Sequence, residues 1–175
     1  TMVAAVLVLA AGYPLGGLIG DQLFRRFPRG RLWVAGTGVI CGAVLLTITF
    51  RIPATAQVPF GLMMCLTALF MPLASANVIS SVYDVTVPEV RSTANALLNL
   101  IEQIGSASAP ALAGVIAVRY SLGAAILSIS IGAWAVCAIF LFVAARFTPA
   151  DQLALRKELQ ARAELERARA EHARV

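Results

Sequence analysis

The sequence predicts an all-α fold, a polytopic membrane helix bundle of five transmembrane helices followed by a cytoplasmic C-terminal helix. Three observations carry this. First, hydrophobic residues make up 59% of the 175 and charged residues 13%, whereas about a quarter of a water-soluble domain is charged. Second, the charges are clustered. Residues 1–20, 32–50, 52–83 and 120–145 contain no Asp, Glu, Lys or Arg, and residues 92–118 contain only Glu102. Apolar stretches of about 18 residues or more read as membrane spans. Each must be a helix, because lipid offers backbone polar groups no partner. Third, residues 149–174 change to an Ala, Arg, Glu and Leu composition.

The elements follow in order. The first span covers residues 2–20 and ends at Asp21, before a basic loop with Arg25, Arg26, Arg29 and Arg31. The second covers 32–50 and stops at Arg51 and Pro53; the third covers 59–83, before Asp84 and Pro88. The fourth is 92–118 and the fifth 122–145, closed by Arg146. The domain organisation is thus a transmembrane bundle, 1–146, and a charged helix, 147–175. Thr148-Pro149-Ala150-Asp151 reads as a fresh helix start, with an N-cap threonine, proline at the first position and an early acid. Glu158/Arg162 and Arg167/Glu171 are four apart and can pair on one face.

Orientation follows from the basic residues. Of the 14 Lys and Arg, all but Arg51 and Arg119 fall on the side shared by the first loop, the third loop and the tail. The positive-inside rule places that side, and the C-terminus, in the cytoplasm. The chain begins abruptly inside a span and has no basic leader segment, so it reads as cut from something longer.

Several functions are excluded on this pattern. The net charge of +5 comes from loops and tail, not from a nucleic-acid-binding patch. Cys41, Cys65 and Cys137 all lie in apolar spans and read as packing residues. No metal-ligand cluster, nucleophile–base pair or phosphate-binding glycine loop occurs, so no enzyme, ATP-driven pump or cofactor is expected.

Helices in lipid associate through small residues. Gly12, Gly16 and Gly20 form one seam at spacing four; Gly38 and Gly42 form another; Gly105, Ala109, Ala113 and Ala117 form a third. Pro14, Pro72 and Pro110 each remove a helical hydrogen bond and invite a kink.

Polar residues within spans mark the candidate site. In the third span Asn77, Ser80, Ser81 and Asp84 share a face; in the fourth Asn95, Asn99, Glu102, Gln103 and Ser106 do the same. The second and fifth spans lack such a stripe. The third and fourth helices are therefore expected along a wet cavity, and the second and fifth towards lipid. Glu102 lies near mid-span, where a charge costs about 2.5–3.5 kcal/mol or more on insertion scales. Two roles stay open for it: a proton carrier or cation contact, and a hydrogen-bonded lock between helices. Asp84, nearer the end, reads as a solvated boundary residue. Asp21 sits at a helix C-terminus, which disfavours an anion, so it should seek a cation or another helix's N-terminus.

Gly17-Leu18-Ile19-Gly20-Asp21 followed by Arg25 and Arg26 resembles the loop signature of the major facilitator superfamily, with Gln22 and Phe24 departing from it. Val87-Pro88-Glu89-Val90-Arg91-Ser92-Thr93-Ala94-Asn95-Ala96, leading to Gly105, Pro110 and Gly114, resembles the start of helix eleven of that superfamily; its Pro-x-x-Arg-Ser-Thr-Ala run is also similar to spinster-like lipid transporters. The resemblance covers residues 1–146 and implies helices eight to twelve, the C-terminal half, with the charged segment as cytoplasmic tail. The third span lacks the arginine typical of helix four, which argues against helices two to six. The resemblance further implies that helices eight, ten and eleven line the cavity, that the aspartate latches the two halves together, and that its partner lies in the missing N-terminal part.

The expected function is secondary active or facilitative transport of a small solute by alternating access, in a multi-pass protein of a lipid bilayer such as a cell inner membrane. Protons or another coupling ion and the N-terminal part of the same transporter are the expected partners, and nucleic acid is not. The cavity set is Asn77, Ser80, Ser81, Asn95, Asn99, Glu102, Gln103 and Ser106; the gate set is Gly17, Asp21, Arg25, Arg26 and Arg91. The alternative is a membrane-embedded scaffold or assembly subunit that recruits a partner through its C-terminal helix.

Overall fold

The computed structural model describes residues 2–53 and 55–172. Among these the chain is helical throughout: α1 (Met2–Arg26), α2 (Gly30–Thr49), α3 (Gln57–Val85), a 3₁₀ turn at Pro88–Val90, α4 (Arg91–Arg119) and α5 (Leu122–His172). All five α-helices are long and apolar enough to cross a membrane. Pro14, Pro72 and Pro110 lie inside continuous helices.

Successive helices reverse direction, and side-chain contacts show which ends share a side. At one end, Arg31 of α2 reaches Asp21 of α1 and Asp84 of α3. Arg91 at the start of α4 donates to the Tyr83 carbonyl near the end of α3. At the other end, Phe50 after α2 and Phe60 of α3 meet edge to face with centroids 6.5 Å apart. The same charged loops that the basic residues grouped together therefore meet in space.

The turns have local causes. Between α1 and α2 the chain reverses within three residues, with Phe27 N–H bonded to the Leu23 carbonyl at 2.9 Å and Gly30 N–H to the Phe27 carbonyl at 2.8 Å. A Cβ on Gly30 would lie 2.5 Å from the Leu23 carbonyl carbon, so only glycine allows this approach. At the α4–α5 turn, the Ser121 hydroxyl accepts the Ala124 N–H at 3.1 Å, an N-cap for α5.

α2 lies at the centre. It packs against α1, α3 and α5, and its Leu32 and Ala35 join Leu141 and Ala145 of α5 in the core, flanked by Val39, Ala74 and Val78. Its glycines receive rings: Phe142 covers Gly36, and Trp134 and Phe70 approach Gly42. The opposite face of α2 is bare and apolar, with Trp33, Ile40, Val44 and Ile48 exposed. On that face the Thr37 hydroxyl is satisfied by the Trp33 carbonyl at 2.8 Å. α2 thus has the outward apolar surface expected of it, and it also supplies the chain's core.

The C-terminal segment is helical, but it does not start afresh. α5 runs unbroken through Pro149. The expected N-cap at Thr148 is corrected: its hydroxyl donates back to the Ala144 carbonyl at 2.8 Å, one turn earlier in the same helix. The reason is packing. Ala138, Leu141, Ala145, Thr148 and Gln152 are buried at alternating spacings of three and four, a single stripe that crosses the proline. A helix that keeps this stripe against its neighbours has more to gain than one that breaks for a cap. Gln152 reaches the Pro28 carbonyl of the α1–α2 turn at 3.5 Å, and Arg162 bridges Glu89 of the 3₁₀ turn at 2.8 Å and Glu158 at 2.6 Å.

Candidate functional site

At the charged end three helix termini meet around Arg31. Its Nη2 donates to Asp21 Oδ1 at 2.7 Å and its Nε to the same oxygen at 3.1 Å. Its Nη1 donates to Asp84 Oδ2. The guanidinium also covers the Phe24 ring, 4.3 Å from the centroid. Asp21 and Asp84 are anions near helix C-termini, and Arg31 is a cation at a helix N-terminus. Each charge is on the end that its own helix dipole disfavours, and each is compensated by the others. Phe24, a departure from the family loop pattern, supplies the surface on which the guanidinium lies.

This arrangement corrects two expectations. Asp21 finds its cation ten residues away in the same chain. Asp84 is half-buried in an ion pair, not a solvated boundary residue. Arg31 carries the network, although in the sequence it is only one of several basic loop residues. The available signal was Gly30 just before it, which lets the chain reverse tightly enough to swing position 31 over the end of α1.

The rest of the gate set divides. Arg91 ties α4 to α3 through the Tyr83 carbonyl at 3.0 Å and lies 5.6 Å from the Tyr83 ring centroid, while its Nε is buried without a partner among the described residues. Arg25 and Arg26 are exposed and make no ion pair among the described residues. Gly17 faces open space: no other helix comes within 4 Å of where its Cβ would be.

The glycine seam of α1 takes α3 directly. Gly12 faces the Leu69 carbonyl and Pro72, Gly16 faces the Leu73 backbone, which a Cβ at position 16 would meet at 2.6 Å, and Gly20 faces Asn77. The Asn77 side chain fills the space a Gly20 Cβ would need. It is 1% exposed, and its Nδ2 donates to the Gly16 carbonyl at 2.9 Å and the Leu73 carbonyl at 2.7 Å. The buried Ser81 hydroxyl donates to the Asn77 carbonyl at 2.7 Å. Asn77 therefore ties α3 to α1 through the Gly16 carbonyl, Ser81 bonds back within α3, and Ser80 beside them is half-buried.

The polar face of α4 is different in kind. α4 packs chiefly on α5 and has no buried residue. Its half-buried positions fall at the two ends: Arg91, Ala94, Asn95 and Leu98 at one, Ala109, Ala113, Ile116 and Ala117 at the other. Residues 99–108 between them are all exposed, including Asn99, Glu102, Gln103 and Ser106. None of Asn95, Asn99, Glu102, Gln103 or Ser106 makes a side-chain hydrogen bond among the described residues. The two polar stripes do not merge within this chain; α3 turns its stripe towards α1, and α4 leaves its own open. The third small-residue seam is used at Ala109, Ala113 and Ala117 but not at Gly105, which has no neighbour within 4 Å.

A family model described as Major Facilitator Superfamily matches residues 1–173. No curated protein and no solved structure matches the chain.

Proposed function

The chain belongs to the major facilitator superfamily, a family of integral, multi-pass transporters of small solutes, and we propose that it forms most of the C-terminal bundle of a secondary or facilitative transporter working by alternating access. In that mechanism two helical bundles rock about a site near the bilayer midplane. The observation that carries the proposal is the open middle of α4. Four polar side chains, one of them ionisable, lie in an apolar span with no partner in their own bundle. Facing lipid they would be costly; facing a watery cavity closed by other helices of the same transporter they are not.

On this reading Asn95, Asn99, Glu102, Gln103 and Ser106 contact solute or a coupling ion, with Ser80 at the margin. Asn77 keeps α1 and α3 in register as the bundle moves, with Ser81 buried beside it. The Asp21–Arg31–Asp84 cluster locks the cytoplasmic ends of α1, α2 and α3 into one block, and Gly17, Arg25, Arg26 and Arg91 face the opposing half. The cytoplasmic placement of this end, and of the C-terminus, rests on the concentration of basic residues there. The scaffold alternative is not favoured by the family match; deletion of residues 149–175 should leave transport largely intact, as a recruiting scaffold would not.

The test is Glu102→Gln in the intact transporter. If Glu102 carries the coupling proton, pH-driven uptake is lost while solute exchange persists. Unchanged uptake, together with failure of water-soluble thiol reagents to modify cysteines placed at positions 99, 103 and 106, overturns the cavity reading.

A further inference from the structure

The α1–α2 turn holds one arginine that the gate does not use, Arg29, close to the gate residues Arg25 and Arg26. Of its four arginines, Arg31 is engaged by two carboxylates, whereas Arg25, Arg26 and Arg29 are exposed and make no ion pair among the described residues. Beside them stand two large exposed aromatics, Phe27 at 59% and Trp33 at 51%. Leu23, Phe27, Arg29, Gly30 and Trp33 together line an open hollow of about 350 Å³. Arg25 and Arg26 border a second hollow on the other side of Leu23. From Trp33 the bare apolar stripe of α2, Ile40, Val44 and Ile48, leads into the span, with Phe142 edge-on to the Trp33 ring at 6.1 Å.

The chemistry of this surface is amphiphilic. At the boundary of a span, the guanidinium of Arg29 shares a hollow with two aromatic rings, and an apolar track descends from Trp33 along α2. A soluble anion would use the arginine and leave the apolar walls wet. A second copy of this chain, at net charge +5, would bring like charge to the patch. We propose that the hollow is a binding seat for an anionic phospholipid. Its phosphate pairs with Arg29, Arg25 and Arg26 strengthen the field, and one acyl chain lies along Trp33 and the outward face of α2. Basic residues at a membrane surface attract anionic lipid, and a guanidinium pairs with phosphate in a directed, two-pronged manner.

Trp33 makes the seat directly observable, because the only other tryptophan is Trp134. The Trp134→Phe chain is placed in vesicles of phosphatidylcholine containing a fixed fraction of brominated phosphatidylglycerol or, separately, brominated phosphatidylcholine, and quenching of Trp33 is measured. The proposal expects the anionic lipid to be enriched at Trp33 by about fivefold, the effect of one well-placed basic residue. Arg29→Gln should bring the ratio near unity, and Arg29→Lys should keep most of it. Arg119→Gln, at the opposite end of the bundle, should change nothing. Equal quenching by the two lipids overturns the proposal, as does an equal loss from Arg119→Gln, which would reveal only diffuse attraction. Displacement of the lipid by millimolar inorganic phosphate would identify a soluble-anion site instead and overturn it also.

Discussion

The contact of α1 with α3 and the middle of α4 contain similar polar residues in similar spans, and they use them in opposite ways. In the first, every polar group named has a partner within the chain: Asn77 donates to two carbonyls, Ser81 to a third. In the second, Asn99, Glu102, Gln103 and Ser106 have none among the described residues. The difference lies in the neighbouring helix. Glycines at 12, 16 and 20 let α3 approach so closely that an asparagine falls onto a backbone carbonyl. Among the described residues, nothing comes within 4 Å of where a Gly105 Cβ would be. A polar residue in a span is thus bonded within the bundle where a small-residue seam meets it, and left open where none does.

The contrast can be broken most severely at Gly16. A side chain there would begin 2.6 Å from the Leu73 Cα, and backbone cannot yield as a side-chain tip can. Gly16→Leu should destabilise by about 3 kcal/mol, the upper end of ordinary overpacking, as read from thermal unfolding in detergent. Gly105→Leu should cost little in the same assay, and equal losses would erase the distinction between the regions.

Next comes Arg31→Met, which leaves Asp21 and Asp84 close together without their cation. A loss of about 1–3 kcal/mol is expected, the range for hydrogen bonds to charged groups. Arg31→Met combined with Asp84→Asn should recover part of it. Additive losses in that double-mutant cycle would show that the three charges do not act as a unit.

Asn77→Ala should cost about 1 kcal/mol, near the measured values for hydrogen bonds between transmembrane helices. Asn99→Ala should leave stability unchanged within about 0.5 kcal/mol and act on transport instead. A destabilisation as large as that of Asn77→Ala would move Asn99 into the structural class. The smallest effect belongs to Arg162→Ala. Its bridges to Glu89 and Glu158 are solvent-exposed, so no measurable change in unfolding midpoint is expected.

The spans were readable in the sequence because charge-free length is a strong physical signal in lipid. The seam at Gly12, Gly16 and Gly20 was equally plain, but its occupant was not, since spacing names a face without naming what meets it. The same gap explains Asn77. Its position on a polar face is visible in the sequence, and that face reads as a cavity wall because the approach of α1 leaves no mark in the residues of α3. The need of Asp21 for a cation was clear from its place at a helix end. Its partner was missed because the tight reversal at Gly30, not sequence distance, brings Arg31 back over it. Thr148-Pro149 misled for a related reason: the local signal for a helix start is genuine, yet the buried stripe from Ala138 to Gln152 outweighs it.

The unbroken α5 has a mechanical consequence. At about 1.5 Å per residue, its 51 residues make a rod of roughly 75 Å, more than twice the hydrocarbon thickness of about 30 Å. Most of that excess projects from one side as a rigid lever. About a pivot at Arg146, where the span ends, a tilt of roughly 10° would sweep the far tip through about 7 Å, given the helical rise. Small rearrangements among the spans are thereby magnified outside the bilayer, where a spectroscopic label near His172 could register them without touching the transport pathway.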